Sequence, residues 1–245
     1  MGAANSKANA ATTNGAGNGA TVPAAAAAAA ASASSSSPAA SAASSSSLPE
    51  SILRKVLHDV VNGLEYLHSL RIIHRDIKPD NLLLSSAGDV KIADLGVARQ
   101  FGPGESTLIS ETQGTYHFFS PEMCSGDMDR YDPFRADIWA VGVCAYILAS
   151  GGRVPFMSAS NNPQELFTMI AEHKKGSLDW NVDGKACVSD SCRDLIDSIM
   201  DPNPDTRLTF DQIRAHPFMH HDQPEMLSQA MDRMKVASPI LVPDA

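Results

Sequence analysis

The chain has 245 residues and a formal net charge of −9, so it is a poor candidate for nucleic-acid binding through a basic surface. No apolar run approaches the roughly 18–20 residues that a membrane-spanning helix needs. The four cysteines show no paired CxxC spacing, which favours reduced thiols and an intracellular, cytoplasmic protein.

The first part of the chain differs in composition from the rest. Residues 1–50 contain 20 Ala and 11 Ser and only two charges, which cancel. Such a segment has too little apolar area to offset the entropy lost on ordering, so we predict a disordered leader over residues 1–46. The remaining residues divide into one domain, 47–220, and a C-terminal tail, 221–245.

The beginning of the leader fits a lipidation motif. The sequence Met1-Gly-Ala-Ala-Asn-Ser-Lys7 has the glycine and serine spacing of an N-myristoylation site. The alternative is a coincidental start to a low-complexity segment. A myristoyl group on Gly2 predicts reversible membrane association, because one acyl chain binds bilayers only marginally.

Apolar periodicity predicts a mainly helical domain. Ser47 to Glu50 has capping-box spacing, and apolar residues then recur at helical intervals, which predicts a helix over residues 48–69. Two short apolar runs, 82–84 and 90–92, flank a turn-forming sequence and predict a β-hairpin.

A long loop and four helices are predicted after the hairpin. Residues 96–121 are rich in Gly, Ser, Thr and Gln without periodicity, and a long loop inside a compact domain is usually functional. Residues 136–149 are apolar on nearly every side, which predicts a buried helix. Three amphipathic helices are predicted at residues 163–173, 189–200 and 209–216.

One polar string carries the chemical signal. It is His74-Arg-Asp-Ile-Lys-Pro-Asp-Asn81, and Asp94-Leu-Gly96 follows it. Phosphoryl transfer requires an acidic group that orients the attacking hydroxyl, a cation near the transferred phosphate, and oxygen ligands for Mg²⁺. The side chains suited to these roles are Asp76, Lys78, Asn81 and Asp94.

The string resembles the catalytic and metal-binding loops of the protein kinases. Other kinase-like motifs follow in the family's order, which argues against a chance match. They are Gly114-Thr115, Ser120-Pro-Glu122, Asp137-Ile-Trp-Ala-Val-Gly142, and Arg207 at the end of Asp-Pro-Asn-Pro-Asp-Thr-Arg. The pair Lys78 and Thr115 resembles serine/threonine rather than tyrosine kinases. Three further sequences, Lys-Ile-Ala-Asp-Leu-Gly-Val-Ala at 91–98, Pro-Phe-Met at 155–157 and His-Pro-Phe at 216–218, look most like the calcium/calmodulin-dependent kinase kinase branch.

The resemblance implies a fold and an activity. The fold is an α+β domain of the kinase large (C-terminal) lobe type, mainly α-helical with a small β-hairpin region. The activity is transfer of the ATP γ-phosphate to Ser or Thr of a protein substrate. Asp76 would be the catalytic base, Lys78 would stabilise the transferred phosphate, and Thr115 would brace both.

The resemblance also assigns cofactor and structural residues. ATP would lie against Leu83 and Ala93, with Mg²⁺ held by Asn81 and Asp94. Asp137 would tie down the catalytic loop. The remaining structural roles fall to His74, Arg75 and the ion pair of Glu122 with Arg207.

The sequence departs from the kinase pattern in two respects. Leu95 replaces the usual Phe, which is a conservative change. The sequence also contains no Gly-rich loop in a strand context and no strand lysine for the phosphates, so we expect the small lobe to be absent and activity to be impaired. Two alternatives stay open: a catalytically silent binding or scaffold module, and a truncated form of an ordinary kinase.

The kinase pattern also suggests how the loop is controlled. Kinases with an arginine at Arg75 generally use it to hold a phosphorylated residue three positions before the glycine of the Gly-Thr pair. That position is Glu111 here, so we expect its carboxylate to be a built-in partner for Arg75. The alternative is that Ser110 or Thr112 is phosphorylated.

Overall fold

The computed structural model describes residues 48–125, 130–182, 185–186 and 188–220. The predicted leader with Gly2, the residue Ser47 and the C-terminal tail lie outside the described residues. Among the described residues, no helix is long and apolar enough to cross a membrane.

Helix α1, Glu50–Ser69, opens the domain and buries one apolar face. The predicted capping box is wrong, because the N-cap residue is Pro49 and no side chain caps it. Glu50 instead accepts hydrogen bonds from the backbone N–H (2.6 Å) and the hydroxyl (3.0 Å) of Ser189. The carboxylate therefore joins the start of α1 to a distant part of the chain. The buried face of α1 comprises Ile52, Leu53, Leu57, Val60, Val61 and Leu64.

Within the described residues, three antiparallel pairs of short strands accompany the helices. The predicted hairpin is confirmed: β2, Leu82–Leu84, pairs with β3, Val90–Ile92. A second pair was not predicted, and it joins β1, Ile72–Ile73, to β4, Arg99–Gln100. This pairing brings the beginning of the long loop back beside the catalytic string. The third pair consists of β5, Asn181–Val182, and β6, Lys185–Ala186.

Five more α-helices follow within the described residues. They are α2, Pro121–Cys124; α3, Pro133–Ala149; α4, Pro163–Ala171; α5, Asp190–Ile199; and α6, Phe210–Ala215. The four helices predicted after the loop are all present, with small shifts at their ends. Helix α3 is nearly surrounded by protein, and a Cβ added at Gly142 would lie 2.6 Å from the Cγ atom of Met200. The absence of a side chain there lets α3 lie close to α5.

The described cysteines fit the reduced state expected from the sequence. Cys124 and Cys144 are free and buried, and Cys192 is buried as well. Burial raises the pKa of the Cys124 and Cys144 thiols well above the usual range, so both stay protonated and unreactive.

Arg207 and Glu122 form a buried ion pair that holds the end of the long loop. The guanidinium donates to both carboxylate oxygens at 2.7 and 2.8 Å, and the two side chains are 0% and 3% exposed. Arg207 also donates to the carbonyl oxygens of Asp201 (3.0 Å) and Arg135 (2.8 Å) and lies over the ring of Trp139. Four of its five N–H groups thus donate to named acceptors, as suits a buried charge.

We predict that Arg207→Ala lowers the free energy of unfolding by about 3–5 kcal/mol, because it leaves the Glu122 carboxylate buried without a cation. Arg214→Ala is the matched control. Arg214 pairs with Glu65 and Asp211 near the surface, where a pair contributes about 0–1 kcal/mol. Urea unfolding followed by circular dichroism measures both changes, and equal losses in the two variants would contradict the prediction.

Candidate functional site

Asp137 organises the loop that carries the polar string. This residue lies on α3 with its side chain 3% exposed. One carboxylate oxygen accepts the backbone N–H of His74 at 2.8 Å, and the other accepts that of Arg75 at 2.9 Å. Arg75 has a φ of 68°, a left-handed conformation that costs a non-glycine residue free energy. The two hydrogen bonds to a buried carboxylate offset that cost.

His68 is a site residue that the sequence analysis missed. It lies on the last turn of α1, and its Nε2 atom is 2.9 Å from Asp137 Oδ2. Its ring stacks edge-on against Phe134 with the centroids 4.8 Å apart. A signal was present in the sequence, because His68 continues the buried stripe of α1 four residues after Leu64.

His74 links the catalytic string to the strand before Asp94. Its side chain is fully buried. The Nδ1 atom accepts the backbone N–H of Asp76 at 3.3 Å, and Nε2 donates to the carbonyl of Ala93 at 3.0 Å. The His74 ring therefore fixes the distance between Asp76 and Ala93, the residue that precedes Asp94.

The structure brings Lys78, Asn81 and Thr115 into one hydrogen-bonded cluster around Asp76. Thr115 donates to Asp76 Oδ1 through its backbone N–H (3.1 Å) and its hydroxyl (2.8 Å). Oδ2 accepts from Lys78 Nζ at 2.7 Å and from Asn81 Nδ2 at 3.2 Å. Lys78 Nζ also donates to the hydroxyl of Thr115 at 3.1 Å. The carboxylate is thus held in one orientation beside a cation.

Asn81 and Asp94 present oxygen atoms suited to Mg²⁺. The amide nitrogen of Asn81 is engaged by the backbone carbonyl of Asp76 at 2.8 Å, which assigns Oδ1 to the role of acceptor or ligand. Asp94 is exposed at a φ of 63°, and its Oδ1 accepts the N–H of Gly96 at 3.1 Å. Amide and carboxylate oxygens are ligands that Mg²⁺ prefers, and the ion commonly takes the rest from water and phosphate. These two side chains therefore fit the ion.

The predicted nucleotide-facing residues form an apolar surface next to these ligands. Leu83 is 39% exposed and lies on β2, immediately after the loop that ends at Asn81. Leu95, which follows Asp94, is 55% exposed. Ala93 is half-buried between the two segments. Exposed leucines at this position are available to contact a planar ligand or another protein surface.

Gly114 allows the long loop to approach the catalytic string. Its φ is 107°, and a Cβ atom placed on it would lie 2.2 Å from the carbonyl oxygen of Arg75. Thr115 follows directly and supplies the donors to Asp76. The close approach of two backbones therefore positions Thr115.

The structure corrects the expected pairing of Arg75 with Glu111. Arg75 Nε donates to the carbonyl of Val97, and the cation within 4 Å of the Glu111 carboxylate is Arg99, at 3.9 Å. Burial lowers the pKa of the Arg75 guanidinium below its usual value, although Glu111 and Tyr131 act in the opposite sense. Arg99 reaches Glu111 because the unpredicted pairing of β1 with β4 places it there.

The two alternative phosphorylation positions differ in accessibility. Thr112 is 5% exposed and its hydroxyl is buried. Ser110 is exposed to solvent. A modifying enzyme would reach Ser110 without opening the loop.

Comparison with known proteins identifies relatives of this chain. Residues 33–219 match the family model described as "Protein kinase domain". Serine/threonine-protein kinase TOS3 of Saccharomyces cerevisiae is 39% identical over 183 residues, covering 69% of this chain and 32% of that protein. Serine/threonine-protein kinase ssp1 of Schizosaccharomyces pombe is 38% identical over 175 residues, covering 69% and 26%. CBL-interacting serine/threonine-protein kinase 8 of Arabidopsis thaliana is 36% identical over 170 residues, covering 68% and 35%. The chain thus spans only a minor part of each relative.

We predict that Gly114→Ala lowers the free energy of unfolding by at least about 2 kcal/mol more than Gly152→Ala. Both glycines have positive φ, 107° and 96°, so the conformational cost of alanine is similar. They differ because nothing lies within 4 Å of a Cβ at Gly152, whereas one at Gly114 meets a backbone oxygen. Urea unfolding of the two variants compares them, and equal losses would show that the close approach does not exist.

Proposed function

We propose that this chain, a member of the serine/threonine protein kinase family, carries a catalytic lobe. The proposed reaction is transfer of the ATP γ-phosphate to Ser or Thr of a protein substrate. The observation that carries the proposal is the cluster in which Asp76 is hydrogen-bonded by Thr115, Lys78 and Asn81. A chance HRD tripeptide in a turn would have no reason to collect these partners.

Each member of the cluster has a role in this proposal. Asp76 accepts the hydrogen of the substrate hydroxyl and directs its oxygen at the phosphate. Thr115 holds one oxygen of that carboxylate with two donors and so fixes its direction. Lys78, a cation 2.7 Å from the same carboxylate, lies where it can also donate to the transferred phosphoryl group.

The proposed cofactors are ATP and Mg²⁺, which the family uses generally. When bound, the ion neutralises negative charge on the phosphates. Asn81 and Asp94 would hold it, and the nucleotide would rest against Leu83 and Ala93. The hydrogen bond from Asn81 to the Asp76 backbone fixes the amide, so that a metal ligand and the proposed base belong to one rigid loop.

We further propose that residues 1–245 by themselves have impaired activity. Leu83 and Leu95 are both exposed, and a surface open to solvent cannot bury most of a nucleotide. The absence of a small lobe stays a prediction, as does the calcium/calmodulin-dependent kinase kinase branch. A silent scaffold is the alternative function, and it requires only the helical surface of the lobe.

The test of catalysis uses residues 48–245 fused to the small lobe of a relative such as the Schizosaccharomyces pombe kinase. We expect Asp76→Asn to lower phosphate transfer to a generic protein substrate by at least about 100-fold, because the base is removed. Asp80→Asn is the matched control, since Asp80 is an exposed carboxylate in the same loop. The chain 1–245 should transfer phosphate at background. Equal activity of the two fusion variants would reject the catalytic assignment.

We also propose that the protein is cytoplasmic and attaches reversibly to membranes through a myristoyl group on Gly2. The support is the sequence motif alone. Co-expression with an N-myristoyltransferase should give a protein whose mass includes one myristoyl group, and Gly2→Ala should abolish it. Ala3→Gly is the control, since it leaves the acceptor glycine intact. An unmodified wild-type chain under these conditions would identify the motif as coincidence.

A further inference from the structure

An apolar groove lies between α1 and the β2–β3 hairpin, and Pro79 of the polar string also lines it. It is open to solvent, and its cavity volume is about 110 Å³. Its main lining residues are Ile52, Val56, Leu82, Leu84, Val90 and Leu148. Within the described part of the chain, Lys55 is the charged residue in its wall, and it is already paired with Asp59 and Asp89. The groove therefore offers an apolar ligand surface with its one charge neutralised.

The C-terminal tail has the complementary chemistry. At 100° per residue, Met226, Leu227, Ala230, Met231 and Met234 fall within about 140° of one another on a helix. Charged and polar side chains occupy the other side. Pro224 precedes this stripe at a position typical of the first turn of a helix. The tail sequence thus predicts an amphipathic helix over residues 224–235, whose flexible methionines adapt to an irregular groove.

The described chain ends where the tail can reach the groove. The carbonyl of Phe218 accepts a hydrogen bond from Arg54 Nε at 2.6 Å, and the Arg54 guanidinium lies over the Phe218 ring. Arg54 is two residues from both Ile52 and Val56, so it points to the opposite side of α1, about 200° away. Residues 221–223 in extended form, followed by one helical turn, span about 16 Å. The path from Arg54 around α1 to the groove is half the circumference of a helix 10–12 Å across, which is about the same length.

The leader is a poorer occupant, although it ends beside Leu48 at the rim of the groove. Over residues 1–47 the only large apolar side chains are Met1 and Val22. Alanine and serine side chains cannot fill a groove built for larger groups, because the free energy gained scales with the apolar area removed from water.

We propose that residues 224–235 of this chain dock as a helix into the groove between α1 and the hairpin, with Leu227, Met231 and Met234 turned inward. The docked helix packs against Leu82 and Leu84, on the strand that carries Leu83 and directly follows Asn81. Docking thereby stiffens the segment that presents the proposed metal and nucleotide contacts. The docking itself does not depend on the proposed catalysis.

The test is amide hydrogen exchange of the full 245-residue chain. We expect amides of residues 226–235 to exchange at least about tenfold more slowly in the wild-type chain than in the double variant Met231→Asp with Met234→Asp. The charge-matched control, Ser228→Asp with Gln229→Asp, changes the opposite face of the helix and should keep the wild-type protection. Amides of residues 82–90 should lose protection in the first variant and not in the second.

A change in the groove gives an independent arm. Val56→Lys places a charge in the wall, and lysine has a higher helix propensity than valine, so α1 is retained. It should release the tail and raise its exchange to the rate seen with the double aspartate variant. Tail amides that exchange freely in the wild-type chain, or stay protected in Val56→Lys, would overturn the proposal. Protection that appears only at high protein concentration, or in the leader instead of the tail, would assign the groove to a second copy or to the leader and overturn it equally.

Discussion

The buried carboxylate of Asp137 is the interaction on which the site depends. It accepts hydrogen bonds from two successive backbone N–H groups of the polar string and from a ring nitrogen of His68. A carboxylate this far from water is stable only when its oxygens are hydrogen-bonded, and bonds to a charged acceptor contribute about 1.5–3 kcal/mol each. The same bonds hold Arg75 in its left-handed conformation. The central helix and the loop that carries Asp76 therefore form one unit.

The long loop is fixed to this unit at two points. At the first, Gly114 passes against the carbonyl of Arg75 and delivers Thr115 to Asp76. At the second, the buried pair of Glu122 with Arg207 anchors the short helix at the loop's end. The segment between these points has little freedom, because backbone contact restrains one end and a fully desolvated ion pair the other. Thr115, so restrained, holds the proposed base Asp76 in one orientation, and a base held in this way needs little reorganisation when a substrate arrives.

Much of the fold was predictable from local sequence. Apolar periodicity gave the long first helix and the hairpin, because each buries a face whose spacing is set by its own backbone geometry. The buried helix was predicted because its residues are apolar on nearly every side. The predicted capping box failed because Glu50 bonds to Ser189, a residue far along the chain. The pairing of β1 with β4 was missed for the same reason, since two-residue strands have no periodicity to detect.

The sequence by itself determined which residues make up the site: the order and spacing of Asp76, Lys78 and Asn81 predicted a phosphoryl-transfer string. Only the tertiary structure decided which cation meets which anion. In the structure Glu111 pairs with Arg99 rather than with Arg75, and His68 forms a hydrogen bond with Asp137. The physical reason is distance: a motif follows from neighbours in the chain, whereas an ion pair or a buried hydrogen bond depends on how segments far apart in sequence pack together.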